Sequence, residues 1–254
     1  MTYKGYLIDL DGTMYLGTKK IPAAARFIKR LQEKQLPFLF VTNNTTKAPG
    51  AVAENLSTNF DIHVDSSLIY TGSIATIAYL NKLNLGKTVY VIGEAGLRAQ
   101  FTEAGYTIEE ENPAYVVVGL DRQATYEEIT KAVLAIQKGA KFIGTNKDTN
   151  MPSERGLIPG AGAIAAMVQA ATQTEPTFIG KPEAIIMEEA LKVIGLTKEE
   201  VVMVGDNYET DIMAGINNQI DTLLVFSGFT SPEDLAQKEK MPTHQVASLD
   251  DWEL

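Results

Sequence analysis

Apolar and polar positions along the chain follow two alternating periods. Short apolar runs of strand length begin at Tyr6, Phe38, Thr88, Tyr115, Lys141, Thr177, Val201 and Asp221. Between them, apolar residues recur at i, i+3, i+4 and i+7, the spacing of one buried helix face. Ala24, Phe27, Ile28 and Leu31 do so behind Pro22, and Val52, Leu56 and Phe60 do so behind Pro49. Proline is well tolerated at a first helical position. Further helices are expected over Ile74 to Leu83 with Ser73 as cap, and over Glu94 to Ala104 with Gly105 as stop. Thr125 and Glu128 form a capping box ahead of Ile129, Ala132, Val133 and Ile136, with Gly139 beyond. A polar loop is expected from Asn146 to Pro159, then an alanine-rich helix from about Ala161 to Thr172. Pro182 is expected to open another, lined by Ile186, Ala190 and Val193 and closed by Gly195, and one more falls near Thr210 to Asn217. Strands alternating with helices predict an α/β fold built on parallel sheet. No fixed-period repeat and no low-complexity linker interrupts it.

The first apolar run ends in chemistry. Tyr6 to Thr13 reads Tyr-Leu-Ile-Asp-Leu-Asp-Gly-Thr, with Asp9 and Asp11 two residues apart. In an extended strand such residues share a face, which would bring two anions together. At about 4 Å their repulsion is roughly 4 kcal/mol at an effective dielectric near 20. A hard divalent cation such as Mg2+ offsets this, because it takes carboxylate and phosphate oxygens as ligands. A plain turn is the competing reading, since Asp and Gly favour turns. Asp206 stands after a second apolar strand, five residues before Asp211, either as a further cation ligand or as a helix cap. Lys181 precedes the helix expected at Pro182, where a cation opposes the helix dipole and therefore points to an anionic partner. Thr42 ends a strand and offers a hydroxyl, with Asn43 and Asn44 following.

The totals narrow the classes of partner. The 254 residues suffice for one or two domains with a substantial core. A net charge of −10 argues against nucleic-acid polymers and anionic membranes, which need clustered Lys and Arg. No apolar run is long enough to span a bilayer, and Met1 leads into a strand-like segment without a secretory pattern, so a cytoplasmic location is expected. Zero cysteines exclude disulfides, thiolate metal sites and cysteine nucleophiles. The isolated His63 and His244 give no zinc pattern.

Taken as a set, Asp9-Leu10-Asp11-Gly12-Thr13, Thr42-Asn43, Lys181 and Asp206 to Asp211 resemble the four signatures of the haloacid dehalogenase (HAD) superfamily of phosphatases, in that family's order. Thr42-Asn43-Asn44, Gly180-Lys181-Pro182 and the long insertion between them resemble its NagD-like branch. The resemblance implies a Rossmann-like core over 1–72 and 180–254, with a smaller α/β cap domain inserted over 73–179. It implies that Asp9 attacks phosphorus, forming an aspartyl-phosphate, and that Asp11 acts as general acid and then base. It implies Mg2+ held by Asp9, the Asp11 carbonyl and Asp206, with Asp211 in the outer shell. Gly12, Thr42, Asn43, Asn44 and Lys181 would hold the phosphoryl group. Asp11 favours ester hydrolysis, because dehalogenases of the family lack it and its ion-pumping ATPases carry threonine there. Thr13 departs from the branch, many of whose members carry valine.

A cap of this kind implies small phosphorylated metabolites as substrates: sugar phosphates, acid sugar phosphates or nucleoside monophosphates. Asn146 and Asp148 in the loop after Lys141 to Thr145 would face the substrate; a solvated polar loop is the other reading. A non-catalytic phosphometabolite sensor and a phosphoryl-transferring mutase use the same pocket and stay open, as do monomer and homo-oligomer. Gly160 and Gly162 match part of a dinucleotide-binding pattern, but no strand is expected before them and no acidic residue follows at the required place, so close helix packing accounts for them better.

Overall fold

The structure, a computed structural model, describes residues 3–153 and 155–254, so the expected N-terminal start at Met1 lies outside it. The chain forms two compact units. The first comprises residues up to Thr42, Pro49–Tyr70 and Lys181–Leu254; the second comprises Asn43–Ala48 and Thr71–Gly180. Asn43–Ala48 was expected with the first group and clusters instead with the second.

In chain order the first unit contributes β1 (Gly5–Ile8), a small hairpin of β2 (Tyr15–Leu16) and β3 (Lys19–Lys20), α1 (Pro22–Glu33), β4 (Phe38–Thr42), α2 (Pro49–Phe60) and all but the last residue of β5 (Ile69–Thr71). The second supplies α3 (Gly72–Leu83), β6 (Thr88–Ile92), α4 (Ala95–Glu103), β7 (Thr107–Ile108), β8 (Tyr115–Val118), α5 (Tyr126–Gln137), β9 (Lys141–Gly144), β10 (Asn150–Ser153), β11 (Gly156–Pro159), α6 (Ala161–Thr172) and β12 (Thr177–Phe178). The first resumes with α7 (Ala184–Ile194), β13 (Val201–Gly205), a π-helical turn (Tyr208–Ile212) running into α8 (Met213–Asn218), β14 (Asp221–Val225), α9 (Pro232–Leu235) and β15 (His244–Val246).

The first unit is organised on a sheet of order β15-β14-β13-β1-β4-β5, and the second on one of order β12-β9-β8-β6-β7. β1 pairs in parallel with β13 and β4, and β14 in parallel with β13 and β15. The second sheet is parallel throughout. β1, β4 and β13 are buried along their whole length, as near-continuous apolar strands are when helices cover both faces. α1 turns Ala24, Phe27, Ile28 and Leu31 into the core beside Tyr6, Ile8 and Phe40. Burying Phe27 and Phe40 contributes roughly 1.5–3 kcal/mol each. α5 carries the expected capping box, with Thr125 Oγ1 accepting from Glu128 N at 3.2 Å and Glu128 Oε2 accepting from Thr125 N at 2.9 Å.

Four expectations change. Thr71, not Ser73, caps α3, accepting from Ile74 N at 3.3 Å. The polar loop from Asn146 to Pro159 contains the β10–β11 hairpin, whose tip residue 154 lies outside the described residues. Its strands are short and carry two prolines, so neither alternation nor β-propensity announced them. A strand therefore does precede Gly160, but it belongs to this antiparallel hairpin. Cβ atoms at Gly160 and Gly162 would strike the carbonyls of Asp148 and Lys147, so the glycines let the 147–150 backbone lie against the start of α6. α7 begins at Ala184 with Glu183 as N-cap residue, two positions beyond Pro182.

Candidate active site

β1 and β13 run side by side, Ile8 opposite Val204, and leave the sheet at the same edge. From there the strand order proceeds through β4 in one direction and through β14 in the other. Such a switch point opens a crevice at the carboxyl ends of parallel strands. Asp9 follows β1, Asp206 follows β13, and Thr42 is the last residue of β4.

The carboxylates of Asp9, Asp206 and Asp211 offer oxygens that all lie within 4.8 Å of one another, and all three residues are buried. Lys181, 1% exposed, donates from Nζ to Asp9 Oδ1 at 2.6 Å and to Asp211 Oδ1 at 2.8 Å. The anions implied by the position of Lys181 are thus, in this structure, these two side chains. Asp211 Oδ1 also accepts from Thr210 Oγ1 at 3.2 Å, and its Oδ2 from Asn207 N at 3.1 Å. Asp206 accepts from Thr13 Oγ1 at 2.9 Å and from Phe229 N at 2.7 Å. It does not cap the following helical turn; Asn207 does, accepting from Glu209 N at 3.0 Å.

With all three buried carboxylates ionised around one ammonium, two negative charges would stand uncompensated. Burial and the Asp211 charge push the Asp9 carboxyl well above the usual carboxylate range; Lys181 opposes this and Asp206 adds to it. Burial and then Asp211 push Asp206 up to about 6. Burial alone would favour neutral Lys181, but the Asp211 and Asp9 carboxylates outweigh it and raise its pKa. All-oxygen donors with an excess of two negative charges fit a hard divalent cation.

Asp11 stands apart. β1 ends at Ile8, so the strand alternation expected to align Asp9 with Asp11 does not reach them. The Asp11 side chain is exposed and accepts from Gly17 N at 3.1 Å, outside the group of three. The electrostatic conflict inferred for Asp9 and Asp11 is real, but its partners are Asp206 and Asp211. Gly12 has φ +96°, and a Cβ there would meet the Asp206 carboxylate.

In the second unit, Asn43 Nδ2 donates to Asp148 Oδ2 at 3.2 Å, and Asn146 Nδ2 donates to Asn43 O at 3.2 Å. Asp148 N donates to Asn146 Oδ1 at 3.1 Å. Asn44 is exposed, and its Oδ1 accepts from Thr46 N at 2.7 Å, closing a local turn.

Residues 6–107 match the sequence profile of the haloacid dehalogenase-like hydrolases, and residues 178–252 match a second HAD-hydrolase-like profile. The chain is 49% identical to the 5'-nucleotidase YutF of Bacillus subtilis (strain 168), over 99% of this chain and 98% of that one. It is 48% identical to the acid sugar phosphatase of Staphylococcus haemolyticus (strain JCSC1435), over 97% and 94%. The chain belongs to the haloacid dehalogenase-like hydrolases. NagD from E. coli K-12 superposes on this hydrolase with a TM-score of 0.92 at 34% identity, covering 100% of this chain and 99% of that one. The hydrolase thus has the NagD-like form of the fold, a Rossmann-like core with a smaller α/β cap domain, and its enzyme class is phosphoric monoester hydrolase. No helix among the described residues is long and apolar enough to cross a membrane.

The cluster is also held by groups that no sequence motif announces. Ser227 Oγ donates to Gly12 O at 2.7 Å, Phe229 N reaches Asp206, and Thr230 N donates to Asp206 O at 3.1 Å. Two of these donors are backbone amides, which no residue type announces. Thr13 enters the sequence only as part of a motif, and its place directly after an acidic strand end is the signal for a buried hydroxyl bound to Asp206.

Proposed function

We propose that this chain is a Mg2+-dependent phosphatase of small phosphorylated metabolites that works through an aspartyl-phosphate on Asp9. The observation that carries the reading is the buried cluster of three carboxylates and one lysine at the sheet's switch point. Asp9, Asp206 and the carbonyl of Asp11 would hold the ion, with Asp211 as an outer support whose oxygens already accept from Lys181, Thr210 and Asn207. Bound there, Mg2+ would stabilise negative charge on the phosphoryl oxygens.

The chain's own groups divide the remaining work. Lys181 holds Asp9 through Oδ1, and the Asp9 carboxylate attacks phosphorus as the bond to the leaving oxygen breaks. Asp11 gives its proton to that oxygen, and the alcohol departs. The Asp11 carboxylate then takes a proton from water, whose oxygen displaces Asp9 from phosphorus and releases inorganic phosphate. Thr42, Gly12, Asn43 and Asn44 are assigned to the phosphoryl group with Lys181. The second unit is assigned to substrate selection as a cap, with Asn146 and Asp148 as its selecting residues. The names of the relatives support sugar phosphates, acid sugar phosphates and nucleoside monophosphates as the classes to examine. A chain without cysteine suits the reducing cytoplasm.

Chelation is expected to abolish p-nitrophenyl phosphate hydrolysis and Mg2+ to restore it. A panel of phosphorylated metabolites, read by phosphate release, then ranks the substrate classes. Full turnover in chelator would overturn the metal-dependent reading.

A further inference from the structure

Asp206 is gripped from two directions. Thr13 is completely buried, and its Oγ1 lies 2.9 Å from Asp206 Oδ1. An ionised carboxylate only accepts and a hydroxyl has one proton, so Thr13 is the donor. The other oxygen, Oδ2, accepts from Phe229 N at 2.7 Å. The loop bearing Phe229 is joined to the turn bearing Thr13, because Ser227 Oγ donates to Gly12 O at 2.7 Å. Each oxygen of Asp206 therefore has one donor fixed by backbone that is itself cross-linked. Turning the carboxylate about its Cβ–Cγ bond would break both bonds at once.

We propose that Thr13 is a positioning residue for the cation: its hydroxyl sets the plane in which Asp206 presents its remaining lone pairs to Mg2+. The inference rests on the Mg2+ reading above and adds a residue to it. Hydrogen bonds made to a metal's ligands tune affinity by about 10–100-fold. Thr13→Val keeps nearly the same shape without the donor, whereas Thr13→Ser keeps the donor without the methyl group.

The test is a Mg2+ titration of the full chain followed by thermal melting, a readout independent of turnover. The Mg2+ midpoint of Thr13→Val is expected to rise about tenfold or more, while Thr13→Ser stays within about twofold of wild type. Thr13→Ala, titrated alongside, provides the donorless variant if the valine protein does not fold. Donorless variants with the wild-type midpoint would overturn the role of Thr13 while leaving the Mg2+ reading standing. An equal rise in Thr13→Ser and Thr13→Val would overturn it too, by assigning the effect to packing of the methyl group. A wild-type protein whose melting ignores Mg2+ would overturn the metal reading and the positioning role together.

Discussion

In the second unit, Glu94 follows β6 and Asp121 follows β8, acidic residues just after parallel strands as Asp9 and Asp206 are in the first. The local sequence logic is the same, but the electrostatics differ. Glu94 is paired with Arg122 at 2.6 Å, and Arg98 lies 3.7 Å from Asp121 and 2.9 Å from Glu128. Every one of those carboxylates has a guanidinium beside it, and the pairs are partly open to water. Asp9, Asp206 and Asp211 share a single buried ammonium. An acid after a strand is therefore not a site by itself; buried charge in excess of its partners is what calls for a further ligand.

The strongest attempt to break this contrast is Asp9→Asn. It is expected to cost at least about 10⁴-fold in turnover, with the melting temperature retained because one of three crowded carboxylates becomes neutral. Steady-state kinetics beside thermal melting checks both halves. Glu94→Gln in the second unit is expected to leave turnover near wild type, and a comparable loss there would erase the distinction.

Lys181→Met comes next. It leaves buried Asp9 and Asp211 without their common cation, and breaking a buried pair in this way costs about 3–5 kcal/mol. Urea denaturation in chelator reads that loss, and Mg2+ is expected to recover part of it.

The cation sharpens the comparison through pH. Asp206 is pushed up to about 6 from an ordinary value of 3.8, so without metal this group keeps its proton in the native chain across a window in which it loses it in the unfolded one. The contribution of Asp206 to cation-free stability is therefore lost as pH rises from about 4 to about 6. Mg2+ at about one hundred times its Kd adds about 2.7 kcal/mol. The difference in melting temperature between Mg2+ and chelator samples is thus expected to widen across the window and level off near pH 7. A constant difference from pH 4 to 7 would mean that these carboxylates do not carry the linkage.

Arg122→Ala is expected to have the smallest effect, under about 1 kcal/mol by denaturant titration, because the Arg122 side chain is exposed and its pair with Glu94 is open to water on that side.

What could be read from the sequence follows from how each feature is encoded. β4, β6, α2 and α6 lie where the apolar periods put them, because their buried faces are long enough to repeat. β2, β3, β5, β7 and β15 have two or three residues each and leave no period to detect. Asp9, Lys181, Asp206 and Asp211 were legible as charged residues at element ends. That Asp11 turns to Gly17 while Asp206 and Asp211 crowd Asp9 was not, because strand alternation stops at Ile8 and the rest depends on a neighbouring strand far along the chain. The hold of Ser227, Phe229 and Thr230 on Gly12 and Asp206 was not legible either, being made largely through backbone groups.

The pairing of Gly5 with Val201 carries a consequence for biosynthesis. Both segments of the second unit leave the ribosome before β13 exists. At about 5–20 residues per second, β1 waits on the order of tens of seconds for the strand that completes its environment. During that interval β4 is the only long partner β1 can find, and the edge later covered by β13 stands open for a chaperone or a second nascent chain. The buried carboxylate–lysine cluster, which needs Lys181, Asp206 and Asp211, is completed in the last phase of translation, so a chain truncated before β13 contains both segments of the second unit without that cluster.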